Sequence, residues 1–197
     1  MNGQRFALHQ DLSSLLLSRR RALLSTGMTL SAGAVALLGG RDALAAGKAL
    51  GDGEGDVRIL NTALGAEQEA IAAYQVGAES GLLSAGVKSV ALQFQGHHKE
   101  HADAIAATVK KLGGSAVSPK AKYTFPVEKL KSEADVLRFA AGLEQGAVSA
   151  YLGAVPVFSD RALAQVAASI LGDEAMHWAV LRHVLGESPV VPKAFMA

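Results

Sequence analysis

The sequence of 197 residues predicts an all-α protein, a bundle of four helices. Along four separate segments, apolar and small residues recur at alternating steps of four and three, the spacing of helix faces packed in a bundle. Two segments also repeat one another: Glu67–Tyr74 and Glu144–Tyr151 both read Glu-Gln-x-Ala-apolar-x-Ala-Tyr. No segment shows the alternation of a strand. We therefore expect two repeated helical hairpins.

The first hairpin is predicted between about residues 56 and 112. Its first helix keeps the four-three spacing up to Glu79, and the small residues of 80–86 then mark a tight turn. The second helix is predicted over about 86–112. Gly113-Gly114 is expected to end it, because glycine readily takes the left-handed conformation of a helix C-cap.

The second hairpin follows a long connection, residues 113–131, which contains two prolines and has no helical period. A connection of this length predicts a crossover between helices 2 and 3 instead of a tight turn. The third helix is expected to begin after Ser132, which forms a capping box with the acid three residues on, and to stop before Pro156. Ser159 is predicted as the N-cap of the fourth helix, which closes at Gly186.

The N-terminus has the features of an export signal. Ser18-Arg19-Arg20-Arg21 and the apolar residues after it fit the twin-arginine pattern, and Ala43-Leu44-Ala45 offers a small-x-small cleavage site. The alternative is an amphipathic helix or a membrane anchor, but the segment is rich in Ser, Gly and Ala and barely reaches spanning length. The predicted organisation is a signal peptide over 1–45, a linker over 46–55, the bundle over 56–187 and a tail over 188–197.

This organisation predicts a location and a partner. A twin-arginine signal implies that the export machinery of that pathway carries the folded protein to the periplasm of a Gram-negative bacterium. No stable membrane anchor is expected after cleavage. The sequence leaves a homodimer open as the assembly.

The composition of the predicted domain excludes several kinds of binding site and catalytic group. Residues 1–45 hold five arginines and two acids, so the rest of the chain carries 14 basic and 16 acidic residues. The domain is thus weakly acidic and has no basic stripe for nucleic acid. The chain contains no cysteine, which excludes disulfides, zinc–thiolate sites, iron–sulfur clusters and cysteine nucleophiles.

Six polar residues fall at positions that the four-three spacing assigns to the core, and every helix contributes at least one. They are Glu67, His98, His101, Glu144, Glu174 and His177. Unpaired buried carboxylates cost several kcal/mol each, so three of them in one core need compensating positive charge. Two divalent cations supply this charge economically. Other acids, Asp173 among them, lie off this stripe and are predicted to be solvated.

The spacing of these residues carries a resemblance to a known family. Residues three apart share a helix face, so Glu174 and His177 can reach one centre. A single Glu on each of two helices, with a paired motif on each of the other two, is the ligand set of di-metal carboxylate bundles. Over about 56–186 the chain resembles the ferritin-like superfamily, in particular exported ferritin-like domain proteins related to desiccation-associated sequences.

The resemblance implies two divalent metal ions, with iron the first choice. It implies Glu67 and Glu144 as the single ligands, with Glu174 and His177 as one paired motif and His98 and His101 as the other. His98 departs from the family pattern, which has Glu there, and so removes a negative charge and a bridging oxygen. The departure favours divalent states or metals that prefer nitrogen, such as copper or zinc, and manganese also remains open.

Two further features concern neighbours of this set. His97 lies four residues before His101 and is the alternative ligand to His98. Tyr74 and Tyr151 follow the two single glutamates by seven residues, on the same face. We expect them to be core aromatics whose hydroxyls reach a carboxylate near the metals.

The sequence therefore predicts an exported protein with a dinuclear metal centre, and its enzymatic form would be an oxidase or a peroxide scavenger. One alternative is a non-catalytic bundle that sequesters metal or protects against stress. Another is a structural bundle in which Glu–His pairs form a buried network without metal. No residue identifies a substrate.

Overall fold

The structure, a computed structural model, describes residues 52–191, in which all regular elements are helical. The four long helices are α1 (Asp52–Glu79), α2 (Ala85–Lys111), α3 (Glu133–Ala154) and α4 (Arg161–Val184), with short 3₁₀ turns at Val127–Lys129 and Val155–Val157. Helix α1 packs mainly against α2 and α3 mainly against α4, and α1 also contacts α3. The predicted all-α bundle of two hairpins is confirmed.

Helix α1 begins earlier than predicted. The sequence placed a linker over 46–55, but residues 52–55 are already helical, so that prediction is wrong for these four residues. Just after these residues, buried Asp56 accepts hydrogen bonds from the backbone N–H groups of Ser159 (2.8 Å) and Asp160 (2.9 Å). This contact holds the N-terminal part of α1 against the start of α4.

Some predicted segments lie outside the described residues. They are the signal peptide over 1–45, the first part of the linker and the last six residues of the tail. Within the described part of the chain, no helix is both long enough and apolar enough to cross a lipid bilayer.

Helix α2 ends at the glycine pair Gly113-Gly114, as the sequence predicts. Gly113 takes a left-handed conformation with φ of 79°, and its N–H donates to the carbonyl of Lys110. The N–H of Gly114 donates to the carbonyl of Val109 at 2.9 Å. These two bonds form a Schellman motif, which satisfies carbonyls that the helix leaves unpaired.

The N-caps of α3 and α4 differ in how well the sequence predicted them. Ser132 caps α3 and accepts from the N–H of Asp135, as expected. The cap of α4 is Asp160 and not Ser159, because the Asp160 carboxylate accepts from the N–H of Ala162 at 2.7 Å. The N–H of Ser159 is instead bonded to Asp56.

The long connection between α2 and α3 crosses along the outside of α1. Asn61 donates to the carbonyl of Ser115 (3.0 Å) and accepts from the N–H of Val117 (2.9 Å). Two turns further along α1, Gln68 donates to the carbonyl of Val117 at 3.0 Å. The predicted crossover is therefore confirmed, and polar side chains of α1 fix its path.

The apolar core consists of two clusters. One joins the N-terminal half of α1 and the C-terminal half of α2 with the adjoining ends of α3 and α4, and includes Leu64, Ile105, Val109, Phe158 and Ile170. The other lies towards the opposite ends of the helices and includes Tyr74, Phe94, Leu137 and Leu181. Between the two clusters, each helix contributes buried polar side chains, so the core contains a polar layer between two apolar ones.

Candidate metal centre

All six side chains that the sequence assigned to the seam meet in this polar layer. Helix α1 supplies Glu67, α2 supplies His98 and His101, α3 supplies Glu144, and α4 supplies Glu174 and His177. Five of them are at most 3% exposed, and His101 is 15% exposed. Ionisable groups are seldom buried to this degree unless they are paired or bind a cation.

The six residues form two overlapping groups of four. The first contains Glu67, His98, His101 and Glu174, and the second contains His98, Glu144, Glu174 and His177. In each group, one ligand atom from every side chain lies within 4.8 Å of the ligand atoms of the others. His98 and Glu174 belong to both groups, so the geometry offers two adjacent cation positions.

Glu174 lies between the two positions with one oxygen facing each. Its Oε1 is 3.1 Å from Nδ1 of His101, and its Oε2 is 3.3 Å from Nδ1 of His177. A carboxylate in this orientation can bridge two cations. The arrangement depends on the three-residue spacing of Glu174 and His177 on one helix face.

His98 lies at the centre of the layer, whereas His97 does not. Nδ1 of His98 is 2.8 Å from Oε2 of Glu67, and its Nε2 is 3.3 Å from Oε1 of Glu144. The side chain of His97 is 33% exposed and lies on the solvent side of His177. The structure thus places His98 in both groups of four and His97 in neither.

Each single glutamate is hydrogen-bonded by a tyrosine of the other hairpin. The hydroxyl of Tyr151 donates to Oε1 of Glu67 at 2.5 Å, and the hydroxyl of Tyr74 donates to Oε1 of Glu144. Both tyrosines are buried. Their contact with a carboxylate agrees with the expectation from the sequence. The sequence did not predict that each tyrosine would bind the glutamate of the other hairpin, because the spacing within one helix does not report contacts between helices.

The carboxyl groups respond differently to this environment. Burial raises the pKa of the Glu67 and Glu144 carboxyls, but the imidazoles around them outweigh burial, so both pKa values lie below the ordinary range. For Glu174, burial is the larger effect and the pKa is raised. Burial, then the neighbouring Glu144 and Glu67, raise the pKa of the Tyr74 and Tyr151 hydroxyls well above the usual value.

The carboxylates of the layer raise the pKa of all three imidazoles. Burial lowers the pKa of His101, but the neighbouring carboxylates of Glu174 and Glu67 raise it more, to about 10. In the same way, Glu144 and Glu174 raise the pKa of His177 to about 9. Glu144 and Glu67 also raise the pKa of His98 well above its usual value. These shifts favour the imidazolium form, whose positive charge offsets the negative charge of the carboxylates.

Unsatisfied atoms show that protons alone do not complete the layer. Nδ1 of His101 and Oε1 of Glu174 are buried and lie 3.1 Å apart but not in hydrogen-bond geometry, and the buried Oε2 of Glu144 has no hydrogen-bond partner. Buried polar atoms without a partner are rare in proteins. All three belong to the groups of four, and oxygen and imidazole nitrogen are ordinary ligands of divalent cations. The residues present therefore fit a metal centre.

Asp173 is the residue that the sequence analysis missed. It was predicted to be solvated, but its side chain is only 26% exposed. Its Oδ2 lies 3.4 Å from Nδ1 of His97, 3.3 Å from Nε2 of His101 and 3.5 Å from Nε2 of His177. The four-residue spacing of Asp173 and His177 was a signal that could have found it.

A cavity of about 430 Å³ reaches the polar layer between α1 and α3. Small residues make room for it, including Ala66, Ala70, Gly142 and Gly146, and Glu67 and Glu144 lie in its wall. The cavity provides space for a small molecule beside the single glutamates, on a path independent of the cluster around Asp173.

Comparison with known proteins places this geometry in context. A family model described as a ferritin-like domain matches residues 55–187. A conserved hypothetical protein from Mycobacterium tuberculosis has a similar solved structure, with 25% identity and a TM-score of 0.63; the match covers 74% of this chain and 99% of that one. No curated protein matches the sequence.

A second solved structure, described as ferritin-like, diiron-carboxylate proteins from Bacillus anthracis str. Ames, is 19% identical with a TM-score of 0.59. That match covers 68% of this chain and 97% of the other. At this identity the likeness supports the fold alone.

Proposed function

The chain belongs to the ferritin-like domain family, and on that premise we propose that it is an exported protein that binds a dinuclear centre of divalent metal ions. One observation carries the proposal. Nitrogen and oxygen ligands from all four helices converge in two adjacent groups of four, and three of their buried atoms make no hydrogen bond. A structural neighbour described as a diiron-carboxylate protein makes iron the first metal to test.

The ligands divide between the two positions by distance. Glu67 and His101 would hold one ion, and Glu144 and His177 the other, with Glu174 between them through its two oxygens. A neutral imidazole has a single free lone pair, so His98 would serve one ion at a time. The set then contains three carboxylates and three imidazoles, which suits divalent iron, manganese, zinc or copper.

The protein prepares this layer for chemistry in three ways. Tyr151 binds Oε1 of Glu67 and leaves Oε2 facing His98 and His101, whereas Tyr74 binds Oε1 of Glu144 and leaves Oε2 without a hydrogen bond. The two apolar clusters exclude water from above and below the layer, and the cavity between α1 and α3 admits a small molecule. When bound, a redox-active metal pair would supply the electrons for reduction of dioxygen or peroxide.

A non-catalytic role is the second candidate. His98 replaces a carboxylate of the family pattern, so the layer has less negative charge with which to stabilise higher oxidation states. This favours a protein that sequesters a divalent metal or protects the cell from it under stress. Consumption of peroxide or dioxygen by the metal-loaded protein separates the two roles.

Elemental analysis of the purified protein, after loading with Fe²⁺ or Zn²⁺ and removal of free metal, tests the proposal. We expect about two ions per chain. Changing Glu67 and Glu144 together to Gln should lower the metal affinity more than about 10-fold. The matched control changes Glu79 and Glu100 to Gln, since both are exposed. Equal metal content in the two double variants would contradict the assignment.

A further inference from the structure

We call the two groups of four the inner centre. Two of its histidines, His101 and His177, have a different neighbour at each ring nitrogen. Nδ1 of His101 and of His177 faces the buried carboxylates, whereas Nε2 of each faces Asp173, at 3.3 Å and 3.5 Å. Nε2 of His177 also lies 2.8 Å from Nδ1 of His97. A cluster of His97, Asp173 and His177 therefore lies on the solvent side of the inner centre.

The spacing within this outer cluster is close to that of metal ligands. For a tetrahedral ion with bonds of about 2.0–2.1 Å, neighbouring ligand atoms lie about 3.3–3.4 Å apart. Asp173 Oδ2 is 3.4 Å from His97 Nδ1 and 3.5 Å from His177 Nε2. The two imidazole nitrogens are closer, at 2.8 Å, and His97, which is 33% exposed, has room to move outward.

The shared histidine is held in a fixed plane. The Phe94 ring stacks on the His177 ring with centroids 4.1 Å apart, and His97 stacks on it at 5.1 Å. His177 therefore offers one nitrogen inward and the other outward without turning over. Because a neutral imidazole has one free lone pair, it can bind an ion on only one side at a time.

We propose that His97, Asp173 and Nε2 of His177 form a third, outer site for a nitrogen-preferring divalent cation such as Zn²⁺, Cu²⁺ or Co²⁺, and that ions pass through it to the inner centre. Two imidazoles and one carboxylate select these metals over Mg²⁺ and Ca²⁺, which prefer oxygen. The partial exposure of His97 and Asp173 gives the site access to solvent. The passage inward rests on the proposed dinuclear centre, whereas the outer site does not.

The outer site and the inner position that contains Glu144 both use His177, so they cannot both bind an ion through it at the same time. This competition allows a test. Glu144 belongs to that inner position and is absent from the outer cluster. Zn²⁺ content after equilibrium dialysis is measured in the wild-type chain, in Glu144→Gln and in Glu144→Gln combined with His97→Ala. We expect about two, two and one ions per chain, since the displaced ion would remain at the outer site until His97 is lost.

The matched control combines Glu144→Gln with His183→Ala, which removes an exposed histidine of α4 and should keep about two ions. Equal Zn²⁺ content in Glu144→Gln with and without His97→Ala would overturn the outer site. It would mean that Asp173 only accepts hydrogen bonds from the imidazoles. A failure of the inner centre looks different: the wild-type chain would then bind at most one ion, which His97→Ala removes.

The rate of uptake tests the passage inward and needs no change in the core. Co²⁺ is mixed with metal-free protein and its absorbance is followed in stopped flow. We expect His97→Ala to reach the same final Co²⁺ content as the wild-type chain but about 10-fold more slowly, the lower end of the effect of removing a group that supports a metal site. Equal rates would overturn the loading role, and this result stands even if Glu144→Gln does not fold.

Discussion

Tyr151 and Tyr74 each donate a hydrogen bond to a single glutamate of the other hairpin. Glu67 on α1 is bound by Tyr151 on α3, and Glu144 on α3 by Tyr74 on α1. Each bond fixes one carboxylate oxygen, and hydrogen bonds to a charged group are stronger than neutral ones. The same two hydroxyls therefore orient the ligands and link the two hairpins.

Replacement of Tyr151 by Phe should weaken both. We expect a loss of about 10–100-fold in affinity for the ion held by Glu67, and a loss of about 1.5–3 kcal/mol in the free energy of unfolding of the metal-free protein. Metal titration and chemical denaturation measure the two effects. Tyr123→Phe is the control, because Tyr123 lies in the crossover; the same change in both variants would contradict the role of Tyr151.

The histidines predict how stability depends on pH. In the metal-free protein the pKa values of His101 and His177 are raised from 6.5 to about 10 and about 9. The folded state therefore binds more protons than the unfolded state between these values. The resulting stability is fully present below pH 6.5 and is lost as the pH rises through about 9 to 10.

We therefore expect the thermal midpoint of the metal-free protein to fall as the pH rises from 6.5 towards 9. The stabilisation by bound Zn²⁺ should grow over the same interval, because the ion competes with fewer protons on the imidazoles. Calorimetry with chelator and with Zn²⁺ measures both trends. In His101→Gln the metal-free midpoint should fall less steeply, and identical slopes in the two proteins would show that His101 is not responsible.

The helices end where backbone and side chains satisfy their free groups. Schellman motifs close α2 at Gly113 and α4 at Gly186, both with positive φ. At the other ends, Ser132 and Asp160 act as N-caps, and buried Asp56 binds the two backbone N–H groups before α4. These contacts set the length of each helix and hence the depth at which its ligands lie.

Gly114 is the glycine whose replacement tests this closure of α2. A Cβ there would lie 2.7 Å from Cγ1 of Val57 and 3.3 Å from the carbonyl oxygen of Val109, so Gly114→Ala must shift the packing. We expect a loss of about 1–3 kcal/mol in the free energy of unfolding, as for other overpacked sites. Chemical denaturation measures it.

Gly65→Ala is the matched control with the opposite sign. A Cβ at Gly65 meets nothing within 4 Å, and alanine is favoured over glycine inside a helix by about 1 kcal/mol. The control should therefore be as stable as the wild-type chain or more so. If Gly114→Ala matched it, the close approach of Val57 would be irrelevant to stability.

At the scale of the whole described bundle, a polar layer lies between two apolar clusters. Such a layer cannot gain much from desolvated charges unless cations or protons balance them. The apolar clusters on either side supply the burial that stabilises the fold. The bundle thus holds its ligands in place before metal arrives, which suits the export of folded protein that we propose.

The proposed export route predicts where the protein accumulates. Changing Arg19 and Arg20 together to Lys should keep the precursor in the cytoplasm, because the twin-arginine pattern depends on this pair. Cell fractionation followed by immunoblotting measures the distribution. The control changes Arg5 and Arg41 to Lys, the same two replacements at equal charge outside the pair. Equal periplasmic amounts of both variants would contradict the route.

Much of this protein follows from spacing along the chain. The four-three pattern predicts the helices, since it is a property of one helix face, and the repeated Glu–Tyr segments predict two hairpins. The same periodicity brought Glu67, Glu144 and Glu174 to the core side. Such predictions succeed because residues on one helix are related by a known rotation per residue.

Relations between helices needed the assembled structure. Three features depend on how far each helix is rotated and shifted against its neighbours. They are the crosswise Tyr–Glu bonds, the position of Asp173 among three imidazoles, and the placement of His98 instead of His97 in the two groups of four. Side chains of several helices set these rotations together. The spacing along α4 alone assigns Asp173 to the surface. The packing of α2 beside α4 brings His97 and His101 close to it.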